Sequence, residues 1–339
     1  MKRKDLLDAL TIVRPGLDSK ESIEQATSFA FIDGRIVTYN DRISISHPIP
    51  GMEITGAINA EEFYQLLSKL KKDEIEISIT ENEVLMKSGR ATAGFALQRE
   101  IKLPIGELGK ISAWKKLPEH FIDALKFAIP SCAGNVNDPI LTCIHIRKDG
   151  YIESSDGFRI ARFKVETMPI SDGLLLPGST ASSLIKYNIQ HVAETKGWIH
   201  FRVSDGGTVI SCRVFHGSYH NTEPHLKVSG VTFTMPNSLG DVLDRAAIFS
   251  NQDQTHILNE QVTITIADNR MRISGKGDHG WFEEELNVHY TDEAVSFLVN
   301  PGFLMSILGQ IKVCTLGKSS MKFEGENWEH VIALTSKVN

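Results

Sequence analysis

The chain has 339 residues, 41% of them hydrophobic and 23% charged, with a formal net charge of −6, a composition that fits a globular protein of two or three domains and excludes a disordered or fibrous chain. No apolar run approaches the roughly 18 residues of a membrane helix. Asp5 and Asp8 also stand where a secretion signal would be uncharged, so a cytoplasmic protein without a membrane partner is expected. Cys132, Cys143, Cys212 and Cys314 lie singly, without the close pairs of a zinc site or the density of a disulfide scaffold, and read as reduced thiols.

In chain order, LLDALTIV (6–13) predicts a helix and FAFIDGRIVTYND (29–41) a hairpin with an Asp-Gly tip. NAEEFYQLLSKLKK (59–72) predicts a capped amphipathic helix, and 74–97 further alternating strands. The same order then recurs. FIDALKFAI (121–129) is followed by CIHIRKDGYIESSDG (143–157), PGSTASSLIKYNI (177–189) and the strands of 198–215. VLDRAAIF (242–249) is followed by VTITIADNRMRISGK (262–276), NPGFLMSILGQIK (300–312) and the strands of 314–334. Asp8, Asp123 and Asp244 mark the three first helices, 115 and 121 residues apart. A unit of helix, strands, helix, strands therefore occurs three times.

Such a unit sets two helices on one face of an antiparallel sheet and leaves edge strands at each end. Three units can join edge to edge into an arc. An arc with free edges closes by symmetry into a ring, with the helices lining the inside.

Several stretches resemble one family, the bacterial DNA polymerase III beta subunit, or DNA sliding clamp. SGRATAGFAL (88–97) is similar to its first-domain Ser-Gly-Arg strand, and SSDGFRIARF (154–163) to its Thr-Asp-Gly-His-Arg-Leu-Ala motif. RAAIFSN (245–251) resembles the end of its third-domain helix, HGSYHNTEP (216–224) stands where it has a Gly-x-Phe-Pro-Asp-Tyr linker, and FEEELNV (282–288) matches its acidic strand. The resemblance spans nearly the whole chain. It implies an α+β protein of three tandem clamp domains (1–113, 114–226, 227–339), each with two helices against antiparallel sheet, forming half of a closed homodimeric ring. It also implies a processivity factor without enzymatic activity, cofactor or metal, which encircles double-stranded DNA and tethers DNA polymerase and clamp loader through short hydrophobic peptide motifs. The alternative is a clamp-like protein-binding scaffold that does not encircle DNA.

Residue by residue, the resemblance assigns a partner-peptide pocket to Leu141, Ser155, Gly157, Arg159, Ile160, Ile332 and Leu334, and a dimer interface to Phe95, Ile248 and Phe249. Thr335 and Ser336 replace the family's Met-Pro-Met ending, which implies a shallower or differently selective pocket. Contact with DNA is expected from Arg14, Lys20, Lys69, Lys71, Lys72 and Lys186. The six helical segments carry eleven Lys or Arg against eight Asp or Glu in an otherwise acidic chain, which suits a sequence-blind channel. Gly178, Ser179, Glu61 and Glu62 stand where the family is often basic, so the grip on DNA is expected to be weak.

Four other patterns compete. GKGDHG (275–280) fits a dinucleotide fingerprint, but WFEEELNV follows it and reads as strand, so a hairpin loop is expected. LGKSS (316–320) has Lys312 where a phosphate loop needs its leading Gly, and reads as a hairpin tip. His216, His220 and His225 lack a carboxylate or Cys to complete a zinc set. Ser155 and Asp156 lack a His to orient them as nucleophile and base, and read as a turn shaping a pocket rim.

Overall fold

A computed structural model describes residues 1–339 apart from 135–136, 205–206, 251–259, 311–312 and 337–339. Asn251 of the RAAIFSN motif, Lys312 and the last three tail residues lie outside the described residues. In chain order the elements are α1 (Arg3–Val13), β1 (Ser28–Ile32), β2 (Arg35–Tyr39), β3 (Ile43–Pro48), β4 (Gly56–Asn59), α2 (Ala60–Lys69), β5 (Glu76–Ile79), β6 (Glu83–Ser88), β7 (Ala91–Ala96) and β8 (Lys115–Lys116). There follow α3 (Phe121–Ala128), β9 (Cys143–Ile146), β10 (Tyr151–Ser155), β11 (Arg159–Lys164), β12 (Leu174–Pro177), α4 (Gly178–Leu184), β13 (Ile189–Thr195), β14 (Trp198–Val203) and β15 (Val209–Arg213). The last are β16 (Val231–Thr234), α5 (Leu239–Ala247), β17 (Val262–Ala267), β18 (Arg270–Gly277), β19 (Gly280–Asn287), β20 (Val295–Val299), α6 (Pro301–Met305), β21 (Val313–Leu316), β22 (Ser320–Glu324), β23 (Trp328–Ala333) and β24 (Thr335–Ser336).

The architecture is α+β, in two compact bodies: Met1–Glu119 with Thr167–His216, and His120–Glu166 with Gly217–Asn339. In the first body the strands run β4-β1-β2-β3-β15-β14-β13-β8, beside a three-stranded β5-β6-β7 sheet. The second body holds the run β9-β10-β11-β23-β22-β21-β16 and a sheet β19-β18-β17-β20-β24. Strands distant in sequence meet at one seam in each body, β3 on β15 (Ile45 opposite Ile210) and β11 on β23 (Ile160 opposite Val331). Both seams are antiparallel backbone ladders of the kind expected from repeats joining edge to edge. Among the described residues β7 and β19 each pair on one side and end their sheets.

The repeated first helix has a physical basis. α1 buries Leu6, Ala9, Leu10 and Val13, α3 buries Phe121, Ala124, Leu125 and Ala128, and α5 buries Leu239, Val242, Leu243 and Ala246. Each set is spaced i, i+3, i+4, i+7, one apolar stripe of a 3.6-residue helix. A fully buried Leu or Val contributes about 1.5–3 kcal/mol over an exposed one. In α5 the stripe starts three residues earlier relative to its Asp than in the other two, so Ile248 and Phe249 fall just past the helix end. The last carbonyls of the stripes are met in related ways. Thr38 Oγ1 donates to Val13 O and Ser154 Oγ to Ala128 O, each at 2.6 Å. In the third repeat the backbone of Gly275 approaches Ala246 O so closely that a Cβ would stand 2.2 Å from it.

Two of the hairpin tips, Asp33-Gly34 and Asp268-Asn269, have positive φ at both central residues, the turn that matches strand twist. At the third only Gly150 (φ 91°) does, and a Cβ there would meet Glu166 O at 2.3 Å. The second helices are uneven. α2 is capped by Asn59, whose Oδ1 accepts from Glu61 N, and runs ten residues. α4 spans seven and has no side-chain cap, with Ser182 and Ser183 bonding back to the carbonyls of Gly178 and Ser179. α6 spans five after its Asn300 cap. Serines that bond their own backbone favour helix ends over interiors.

All four cysteines are free thiols, Cys143, Cys212 and Cys314 buried and Cys132 half-buried. Burial pushes Cys132 up to about 12, and raises Cys212 and Cys314 further. Two histidines are also interred. In the first body His200 lies between Ser211 Oγ and Thr195 Oγ1, each at 2.8 Å, and burial lowers it to about 4. In the second His330, 1% exposed, leaves both ring nitrogens unpartnered and packs edge-on to Phe127, and burial aided by the charge of Arg159 lowers it to about 3.

Unfolded histidine takes its proton near 6.5, whereas these two resist it until about 4 and 3. The stability they contribute is therefore complete above about pH 6.5 and is lost as pH falls toward the folded values. Melting temperature should drop progressively from pH 7 to pH 4. His330→Leu should hold stability at pH 7 to within about 1.5 kcal/mol and flatten the acid limb of the second body. Parallel pH profiles for the two proteins would refute this assignment.

Candidate functional site

A groove of about 690 Å³ opens on the second body. Its floor is Ile160 and Val331, buried opposite one another across the β11–β23 seam and clustered with Leu226 and Val228. Leu141, Phe158, Ala333 and Leu334 widen the apolar surface, and Ser155, Gly157, Arg159, His220, His225, Lys227, Ser319 and Ser320 stand around it.

The turn that holds one wall is built on Asp156. Its Oδ1 accepts from the backbone N–H groups of Phe158 (3.0 Å) and Arg159 (3.1 Å), and its Oδ2 from Arg159 Nε (2.9 Å). Gly157 N donates to Ser155 Oγ at 3.1 Å, and Gly157 itself sits at φ 91°. The carboxylate is thus occupied in shaping the rim, as a carboxylate-centred turn requires. Arg159 is equally committed. Besides Asp156 it donates to Ser306 Oγ at 3.3 Å and to Pro130 O, and it lies 4.2 Å over the Phe303 ring.

The opposite wall, 220–227, is a loop running into a short 3-10 turn (Glu223–Leu226), tied down by buried charge. Glu153 and Arg162, 2% and 4% exposed at their side chains, pair at 2.8 Å, and Thr222 Oγ1 donates to Glu153 Oε2 (2.8 Å) while accepting from Arg162 Nη2 (2.7 Å). His145 Nδ1 reaches Glu153 Oε1 at 2.9 Å, and Glu223 bridges Arg147 and Arg162. Burial pushes the Glu153 carboxyl up, but the bonds from His145, Thr222 and Arg162 outweigh it and hold it below the usual range. His220 meets Asp138 Oδ2 at 2.8 Å, and this bond lowers Asp138.

Of the seven residues expected at a peptide pocket, six line the groove. Ile332 does not: it is fully buried in the core on the other face of β23, and its neighbours Val331 and Ala333 line the groove instead. Thr335 is also absent from the lining, since β24 pairs with β20, Thr335 opposite Leu298.

The expected DNA contacts all belong to the first body and are exposed. α1 and α2 lie together, with Thr11 Oγ1 3.0 Å from Tyr64 OH and Arg3 Nη1 donating to Leu67 O. Lys69, Lys71 and Lys72 therefore gather at the start of α1 with Lys2, Arg3 and Lys4, which the family resemblance does not single out. At the other end of α1 Arg14 sits 4.6 Å over the Tyr64 ring, and Lys186 precedes Tyr187, whose hydroxyl donates to Ile12 O. Eleven residues put the two basic groups roughly 16 Å apart. Lys20 lies in the following loop.

Of the residues expected at an interface, Phe95 on the free strand β7 packs edge-on against Phe63 at 4.9 Å. Phe249 stacks on Phe282 at 6.4 Å, whereas Ile248 is 66% exposed. Trp281, on the free strand β19 and 71% exposed, shares a face with Glu283 and Glu285. Strand alternation around Phe282 was the signal that could have singled it out.

The competing motifs resolve as hairpins. Gly277 pairs with Gly280 across a two-residue turn between β18 and β19, and residues 317–319 link β21 to β22. Among the described residues no three His, Cys, Asp or Glu side chains are grouped to hold a metal ion, and no helix is long and apolar enough to cross a membrane.

No family model matches the chain, and no curated protein does. Solved structures do match. A putative DNA polymerase III beta subunit from Eubacterium rectale is 17% identical, with a TM-score of 0.83 over 99% of this chain and 98% of that one. The DNA polymerase III subunit beta of Pseudomonas aeruginosa is 16% identical, with a TM-score of 0.84 over 99% of both. The beta subunit from Thermotoga maritima is 16% identical, with a TM-score of 0.83 over 100% and 99%. The chain has the sliding-clamp fold.

Breaking the buried pair tests what holds the groove wall. Glu153→Gln should remove the most buried of the carboxylates around Arg162, leaving only Glu223 and Glu329 beside it, and cost about 1–3 kcal/mol, read from the urea transition of the second body. A change below about 1 kcal/mol would show that the wall is held by other means.

Proposed function

We propose that this chain is a DNA sliding clamp: a non-enzymatic, cytoplasmic processivity factor of three clamp domains (1–113, 114–226, 227–339). Two copies close into a ring around duplex DNA and tether a polymerase and a clamp loader through short hydrophobic peptides. The observation that carries this reading is the full-length match to beta-subunit structures, with a free strand edge left in each body at β7 and β19. Unpaired edges are normally shielded. Here Ile248 and Trp281 lie exposed beside one of them, which supports pairing with a second copy.

Ile248 makes the cleaner interface test than Phe249, because Phe249 has packing of its own to lose. In sedimentation at micromolar concentration, wild type should run as a dimer and Ile248→Asp, which buries an unpaired charge on association, as a folded monomer. An unchanged dimer would place the interface elsewhere.

Topology distinguishes a clamp from a DNA-binding scaffold. Loaded on a nicked circle, the protein should stay until the circle is linearised. On open linear duplex it should bind weakly and without sequence preference, each phosphate contact adding about 0.9 to the salt slope. Equal loss from circle and linear DNA would refute encirclement and leave a protein-binding scaffold.

A further inference from the structure

The groove carries a charge pattern that apolar anchoring does not explain. In a chain of net charge −6, none of the described residues lining it is Asp or Glu. The carboxylates nearest to its walls are already used: Asp156 by Arg159, Asp138 by His220, and Glu223 by Arg147 and Arg162. Arg159 in turn has each of its three nitrogens already donating within the protein, its charge paired with Asp156. What remains on the rim is His225 and Lys227, both exposed and without a side-chain partner among the described residues.

Resting on the peptide-pocket reading above, we propose that this groove selects an acidic peptide, one with Asp or Glu side chains beside its apolar anchors that meet Lys227 and His225. Lysine supplies a fixed charge, and an imidazole offers an N–H donor in either protonation state. His225 and Lys227 form a short row on the 220–227 wall, whose His220 is taken by Asp138. A row of this kind suits side chains on a peptide that continues past the groove better than a single terminal carboxylate.

Titration calorimetry with acetylated, amidated peptides sharing Leu and Phe anchors, and flanked by Glu, Gln or Lys, tests this. The Glu peptide should bind about five-fold more tightly than the Gln peptide at low salt and the Lys peptide most weakly, as rim charges permit. Added salt should erase the difference. The double variant His225→Glu, Lys227→Glu should reverse the order. Equal affinity for the Glu and Gln peptides, or an order unchanged in the double variant, overturns the acidic preference while leaving an apolar pocket. A Gln-flanked peptide with a free C-terminus that matches the Glu peptide overturns the assignment to side chains. Ile160→Asp should abolish binding of every peptide. If it does not, or if wild type binds none of them, the pocket reading falls and this inference with it.

Discussion

Two backbone ladders, β3 on β15 and β11 on β23, are the constraint on which the rest depends. Each ties strands more than a hundred residues apart and converts separate repeats into continuous sheets. The groove floor exists because of one of them, since Ile160 and Val331 are directly opposed across that seam. A slip of β23 by one residue against β11 would turn Val331 into the core and bring Ile332 to the groove face. The site is therefore a by-product of how the repeats are joined rather than a feature of any one repeat.

Around that floor, polarity works by position. Asp156 spends both oxygens on its own turn, and the Glu153–Arg162 pair is dry enough that its value lies in fixing the 220–227 segment more than in net stability. Aromatic Tyr151 sits under three cations, Arg147, Arg162 and Lys164, which keeps this charge ordered at the sheet surface. Rigid walls lower the entropy lost when a flexible segment docks.

Much of this was legible in the sequence where periodicity is strong. The first helices announce themselves because four apolar residues at helical spacing have no other use, and the Asp-containing hairpin tips because few residues tolerate their backbone angles. The Asp that marked each helix was a poorer guide: Asp8, Asp123 and Asp244 are all exposed, so nothing holds them to the buried stripe, and the third helix is shifted by three residues. Ile332 was assigned to the wrong face because strand parity turns on a single residue. The basic wall was not legible as a wall, since His225 and Lys227 are positioned by Thr222 and Glu223 bonding to residues some sixty or more positions earlier. Trp281 was hidden by its neighbour Phe282, which carries the more obvious apolar pattern.

The interior thiols have a practical consequence. Alkylating reagents attack the thiolate, and burial both covers these sulfurs and keeps them protonated at neutral pH. A cysteine introduced at an exposed loop site such as position 293 would be far more reactive than the four natural ones. The chain is, in effect, already suited to single-site dye or cross-linker attachment without first removing its native cysteines.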